Sequence, residues 1–447
     1  MTDQTPVLHP RPRVTRADWV DLNGTWQFAY DDADAGLGER WPENPGKFDR
    51  QIVVPFAPES EMSGIGDTGF HPVLWYRRTF AAPATAGRVL LHFGAVDYRA
   101  SVWVNGDLVA THEGGHTPFT ADITASLKSG AEQVVVVRAE DRPGDVTQPR
   151  GKQDWQEKPH VIWYNRTSGI WQTVWLEPVP RTYIADFQLT PELTDGSVKV
   201  EAALNAAFSG FLHVRLAARG VVLAEQSVRL DGDRLETRLQ IPAATNGVNR
   251  NDLYWTPDNP NLIDVTATLL GADAKSVDSV QSYFGLRSVG IANGRFLLND
   301  RPVFVRSVLE QGYWPKSHLT APSADALKHE VELIKSLGFN AVRIHQKIED
   351  PRFLYWADHL GLMVWGEIAN AYEYNPQAVD RLTREWLSAV KRDRSHPCIV
   401  TWVPINESWG VSDMAIRRDQ QDFATSLYYL TKAIDQTRPV ISNEGWE

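Results

Sequence analysis

The sequence predicts a multidomain chain, β-rich over its first two-thirds and α/β over its last third. Three observations carry this. Residues 13–180 are rich in Trp, Gly and short alternating runs and hold no long helical pattern. From Tyr183 to Arg287 short alternating strands continue at the spacing of a small β-sandwich. Residues 323–407 then switch to apolar runs separated by amphipathic stretches, the pattern of βα units in a parallel sheet. A length of 447 residues suits about three domains at ~150 residues each. With 43% hydrophobic residues, each can bury a core.

Each element has a local reason. Arg88 to Phe93 and Ala100 to Val104 read as strands, and Asn105-Gly106 is a strong two-residue hairpin turn. The proline-flanked run Glu177-Pro178-Val179-Pro180 marks a boundary, giving domains over 1–180, 181–288 and 289–447. Ser323 caps a helix from Ala324 to Leu337 that Gly338 closes, and Phe339 to His345 is a buried strand. A helix from Pro351 to Leu360 ends at Gly361, and Leu362 to Glu367 is the next strand. The helix from Ala378 to Arg394 leads into Cys398-Ile399-Val400-Thr401-Trp402-Val403-Pro404-Ile405-Asn406-Glu407. A helix from Met414 to Ile434 and a strand from Pro439 to Ser442 follow.

These strands share a property that packing does not require. Each ends in polar groups: Arg343 and His345, then Glu367, then Asn406 and Glu407. Parallel strands point their C-termini to one face, so the groups converge on one site. A glutamate there can move a proton, and an amide beside it can hold a sugar hydroxyl, which is what glycoside hydrolysis needs. The competing reading makes Glu407 a helix cap, since Asn406-Glu407-Ser408 also resembles a helix start.

Two segments resemble glycoside hydrolase family 2, which includes β-galactosidases, β-glucuronidases and β-mannosidases. The first runs through Asn340-Ala341-Val342-Arg343, Phe353-Leu354, Asp358 and Gly361-Leu362-Met363-Val364-Trp365. Its departure is Ile344-His345-Gln346-Lys347, which places the histidine one position early. The second spans Asp393 to Glu407, with Ser395 and Val403 in place of the usual residues. The resemblance implies that Glu407 is the general acid/base, that Asn406 partners the sugar 2-hydroxyl and that Arg343 orients the catalytic carboxylates. It also implies a jelly-roll at the start, an immunoglobulin-like sandwich next and a (β/α)8 barrel last. The jelly-roll is carried by Phe93 to Tyr98, Val102 to Gly106, His112 to Phe119 and Ser168 to Leu176, and the barrel is entered by a hairpin from Phe296 to Val303.

The barrel is expected to be incomplete. From Val303 the chain offers at most five strands where eight are needed, and roughly 160 residues against about 250. The family nucleophile belongs to the seventh strand, so no residue here inherits that role, and the chain is expected to be truncated and poorly active. Glu444 and Glu367, at the ends of strands neighbouring that of Glu407, are the internal alternatives for a second carboxylate. Neighbouring strands place both groups on one side of a sugar, whereas attack and protonation need opposite sides. Glu367 reads better as a sugar ligand or an Arg343 partner.

Seventeen Trp are a high count for a sugar-binding reading to sort. Trp26, Trp103 and Trp175 read as sheet packing. Trp163 and Tyr164 sit in a long loop, Pro149 to Arg166, that can wall a subsite. Trp314, Trp365 and Trp409, at or past strand ends, are candidate sugar platforms. His345 completes the substrate-binding set with Arg343, Glu367 and Asn406.

Composition limits partners. A net charge of −11 argues against nucleic acid, and no apolar run approaches the ~20 residues of a membrane span. Met1 to Thr5 lacks a basic start and an apolar core, so no signal peptide is read. A lone Cys398 permits no internal disulfide and suits the cytoplasm; its expected role is small apolar packing. Some family members bind magnesium through a Glu and a His after the third strand. Here Ala369-Asn370-Ala371-Tyr372 offers no His, so no metal and no cofactor are expected. The substrate is read as a β-linked glycoside, with a β-galactosidase-like activity first and a non-catalytic carbohydrate-binding fragment second. Glucuronate has the least support, because no basic motif reads its carboxylate. A homo-oligomer stays open.

Overall fold

The computed structural model describes residues 8–245 and 250–445. Met1 to Thr5, read above for a leader, lie outside them. The first region is a two-sheet antiparallel sandwich. Its larger sheet runs Arg50–Val54, Gly24–Tyr30, Val73–Phe80, Gln133–Glu140, Arg99–Val104, Asp107–Glu113. Its smaller sheet runs Val20–Asp21, Val174–Val179, Arg88–Phe93, Phe119–Asp122. Period-two alternation sets the inward face: Ala100, Val102 and Val104 are buried while the residues between them are not. Val104 pairs with Asp107 across Asn105 and Gly106, whose φ values of 53° and 95° are those a two-residue turn demands. Trp26 and Trp175 are buried, and Trp103 stacks on Trp75. No α-helix occurs among the described residues of this region.

The second region is an immunoglobulin-like sandwich organised by one long strand, Ser197–Ala218. Val221–Gln240 pairs along its whole length, Ile184–Glu192 pairs with its first half and Ile263–Leu270 with its second. The register slips between Ala203 and Phe208, and such an irregularity bends a strand so that its two halves can serve different layers. Phe187, Val200, Val214, Val265, Leu269 and Phe284 belong to one core.

The third region opens with a small antiparallel sheet over residues 289–302. Four parallel strands follow in order: Ser307–Glu310, Ala341–Ile344, Met363–Glu367 and Ile399–Val403. Between and after them lie helices Ala324–Ser336, Pro351–Leu360, Pro376–Asp393 and Arg418–Ile434. Ser323, Asp350 and Asn375 accept backbone N–H groups at the first three helix starts, as short polar caps do. This is the opening part of a (β/α)8 barrel.

Two elements differ from expectation. The last helix starts at Arg418, not Met414, because Asp413 ties up the preceding turn. Its carbonyl accepts the N–H groups of Ile416 and Arg417, and its own N–H donates to Gln420 Oε1. The fifth strand is reduced to two bridges, Trp402 to Val440 and Asn406 to Glu444. Pro404 is the reason. Trp402 N donates to Pro439 O and Ile441 N to Trp402 O, but the next donor of the fourth strand would be residue 404, and proline has none. The ladder resumes in the same register but on the alternate residues, with Glu407 N on Glu444 O at 2.6 Å.

Candidate active site

That break in the ladder at Pro404 opens the site's central bend. Asn406 N–H, released from the ladder, donates to Asn370 Oδ1 at 2.8 Å, while Asn370 Nδ2 donates to Pro404 O at 3.0 Å. Asn370 therefore cradles the turn that presents Asn406 and Glu407. Glu407 and Ser408 both adopt left-handed backbone, with φ of 49° and 58°, and so does Gln346 at 53°. Each costs on the order of 1–2 kcal/mol for a residue with a Cβ. Such cost clusters where function holds a conformation in place. Gly445 closes the bend from behind: a Cβ there would sit 2.7 Å from Glu407 Cγ.

Arg343 is the hub. Its Nε and Nη2 donate to Glu367 Oε2 at 2.9 and 2.8 Å, and Nη2 also reaches Asn406 Oδ1 at 2.6 Å. Its Nη1 pairs with Glu444. Glu367 Oε1 accepts Gln346 N at 2.7 Å and lies 3.4 Å from His345 Nδ1. The structure thus brings Arg343, His345, Glu367, Asn406 and Glu407 to one end of the sheet. Trp365 lies level with Arg343 in the parallel register, two residues before Glu367, and packs against the barrel core.

The first region reaches this mouth through the loop from Pro149 to Arg166. Trp163 lies 5.8 Å from Trp409 and 6.3 Å from Tyr372, edge to face, and Trp155 contacts both Trp163 and Tyr372. Tyr164 stacks instead on Tyr313, with ring centres 4.2 Å apart. Trp409 directs Nε1 toward Glu407 Oε2 at 3.4 Å. Lys152, from the same loop, holds its ammonium 5.1 Å from the Trp409 ring centre. Trp314 packs at the barrel core's edge, bridged to His318.

Three contributors escaped the sequence reading. Asn370 is legible only as a residue near a strand end, Gln346 acts through its N–H on Glu367 and its Oε1 on Asn370 N, and Lys152 comes from another domain. No local pattern marks them.

Glu367 does not fit a magnesium ion, since its side chain is fully buried and both oxygens are committed to Arg343 and Gln346. Among the described residues one trio of potential ligands converges, Asp358, His396 and Cys398, within 4.8 Å. Both Asp358 oxygens are already taken, Oδ2 by His396 Nδ1 and the Tyr283 hydroxyl and Oδ1 by Cys398 N.

This geometry, a polar mouth at the C-terminal ends of parallel strands reached by a loop of the first β-region, matches family models along the chain. Residues 20–180 match the sugar-binding domain of glycosyl hydrolases family 2, residues 182–287 match a further family 2 model, and residues 289–446 match the family's TIM barrel domain. The chain belongs to glycosyl hydrolase family 2.

Within the family, a β-galactosidase of Thermoanaerobacter pseudethanolicus is 29% identical over 94% of this chain and 54% of its own length. A β-glucuronidase of Canis lupus familiaris is 26% identical over 99% of this chain and 71% of its own. The crystal structure of Ruminococcus gnavus β-glucuronidase superposes with a TM-score of 0.80 at 22% identity, over 98% of this chain and 74% of that one, which establishes the shared fold. The chain spans about half the length of the curated β-galactosidase it matches. No helix among the described residues is long and apolar enough to cross a membrane.

Proposed function

We propose that this chain carries the acid/base half of a retaining exo-glycosidase acting on β-linked O-glycosides, with Glu407 as general acid/base. The observation that carries the reading is the bend at Pro404. It spends backbone strain and the side chain of Asn370 to hold Asn406 and Glu407 at the mouth beside Arg343. A helix cap needs none of this, and the last helix begins well beyond, at Arg418. Glu407 is half-buried, with Trp409 Nε1 facing one oxygen, so it can hand a proton to a glycosidic oxygen and take one back from water. Asn406 Nδ2 is buried with no partner among the described residues, a donor available to a sugar hydroxyl.

Glu367 and Glu444 are unsuited to attack, because they belong to the segments flanking the fourth strand and reach a sugar from the side of Glu407, not from the opposite face. The nucleophile of a retaining pair is assigned to a carboxylate outside residues 1–447, and the chain alone is expected to turn over little substrate. The lone cysteine, buried and unpaired, suits a reducing compartment such as the cytoplasm.

The test uses Glu407→Gln in an enzyme holding the complete barrel. Substrates with poor leaving groups should lose about 10²–10⁴-fold in rate, since they need the proton. Activated nitrophenyl glycosides should still form the glycosyl-enzyme, and azide should restore their turnover. Equal slowing of both classes, with no azide effect, refutes the assignment.

A further inference from the structure

An arginine-rich strap, Arg11-Pro12-Arg13-Val14-Thr15-Arg16, runs between the first two regions. Thr15 and Gln281 exchange backbone hydrogen bonds at 2.9 Å, which fixes its course. Two of its three guanidinium groups meet carboxylates: Arg11 pairs with Glu177, and Arg16 with Glu177 and Asp278. Arg13 does not. It is only 5% exposed, and among the described residues no carboxylate lies within ion-pair distance of it. Its Nη1 donates to Tyr283 O at 2.5 Å and to Ser395 O at 3.5 Å, while its Nε is buried without a partner among the described residues.

Arg13 lines a cavity of about 120 Å³ where all three regions meet, and this cavity shares no residue with the Glu407 mouth. Three buried polar atoms of its lining residues lack partners among the described residues: Arg13 Nε, Gln172 Nε2 and Trp175 Nε1. All three are donors. The other cations of the lining have carboxylates of their own, Arg352 on Asp350 and Arg392 on Asp393. Asp186, the carboxylate that the second region contributes, is exposed, takes the Gln188 amide at 2.9 Å and acts on Arg13 only from beyond ion-pair distance. Arg287 shows that a buried guanidinium can be sealed without a carboxylate: its Nε and Nη2 bind the carbonyls of Pro397, His396 and Ile399. Arg13 is left open, and burial disfavours its charge. A cavity of this size holds about four waters at ~30 Å³ each, or one small oxyanion. Water would meet the donors and leave the charge unanswered. An oxyanion meets both.

We propose that this junction cavity is a binding site for a small oxyanion, carboxylate or phosphate, held on the Arg13 guanidinium and Gln172 Nε2. The site stands apart from the acid/base reading of Glu407. Because its walls come from three regions, the bound anion ties the strap to the barrel.

The test is calorimetric titration of residues 1–447 with sodium acetate and, separately, sodium phosphate, with sodium chloride holding the ionic strength constant. At least one anion should bind saturably at one site per chain, and the tighter of the two identifies the group. Arg13→Met should weaken that binding about 10-fold or more, since a charge-assisted contact is lost. Gln172→Leu should weaken it less, and Arg13→Lys should keep part of it. In wild-type protein labelled with ¹⁵N-arginine, the Arg13 Nε–H resonance should shift on adding the anion and not on adding chloride, a readout independent of how the variants fold. Absence of saturable binding, an unmoved Arg13 resonance, or binding that survives Arg13→Met overturns the proposal.

Discussion

The fourth barrel strand has two ends of opposite character. At its N-terminal end the buried carboxylate of Asp358 and the guanidinium groups of Arg287 and Arg438 are all answered. Asp358 receives His396, Tyr283 and the Cys398 N–H, and its carbonyl accepts Trp255 Nε1. Arg287 and Arg438 bind the carbonyls of Ile399 and, between them, those of His396 and Pro397. At its C-terminal end, among the described residues, Asn406 Nδ2 has no partner, and Glu407 and Ser408 hold left-handed backbone. One strand therefore runs from a saturated floor to an unsaturated mouth. Saturation marks a region selected for holding the fold. Unmet donors beside strained backbone mark a region whose partners arrive from solution.

The largest effect that tests this contrast is at the floor. Asp358→Ala strands the imidazole of His396, the Tyr283 hydroxyl and a backbone N–H in a fully buried site. The expected cost is about 3–5 kcal/mol by denaturant unfolding. A loss below about 1 kcal/mol would break the comparison.

The mouth should respond the other way round. Asn406→Ala removes one hydrogen bond from Arg343 and an amide group already unpartnered, while the backbone bond to Asn370 remains. Stability should fall by about 1 kcal/mol. In an enzyme with a complete barrel, kcat/KM should fall by roughly 10-fold or more, the size of a hydrogen bond made to substrate. Equal losses in stability and activity would erase the distinction between the two ends.

A smaller effect is expected where the first region docks on the third helix. Glu385 is buried and accepts His116 N at 3.0 Å, while its other oxygen has no partner. Burial pushes its carboxyl up to about 7, against these backbone contacts. The folded protein therefore holds a proton that the unfolded chain releases near pH 4.5, so stability falls as pH rises from about 4.5 to 7. Glu385→Gln removes this titration. Thermal unfolding should show the variant more stable by about 1–3 kcal/mol at pH 8, with the two proteins converging below pH 5. An unchanged difference across that range would show that Glu385 is not protonated in the fold.

Much of this was legible in the chain because the information is local. Alternation put Ala100, Val102 and Val104 on one face, and Asn105-Gly106 could make only a tight turn. Ser323 and Gly361 bounded helices through bonds to their own neighbours. The polar endings of consecutive strands pointed to one mouth because parallel strands share a direction. The fifth strand and the last helix start were misread for the same reason in reverse. The pairing that Pro404 interrupts, and the turn that Asp413 ties, depend on which segment lies alongside.

Element types, the three-part order and the Asn406-Glu407 pair at a strand end are all written into the amino-acid order, since each follows from periodicity and from residues a few positions apart. The surroundings of that pair are not. Asn370 at the bend, Glu444 on Arg343 and Lys152 above Trp409 come from segments far apart in the chain, and folding alone brought them together. A side chain's distant partner is set by how whole domains pack, and no local pattern encodes it.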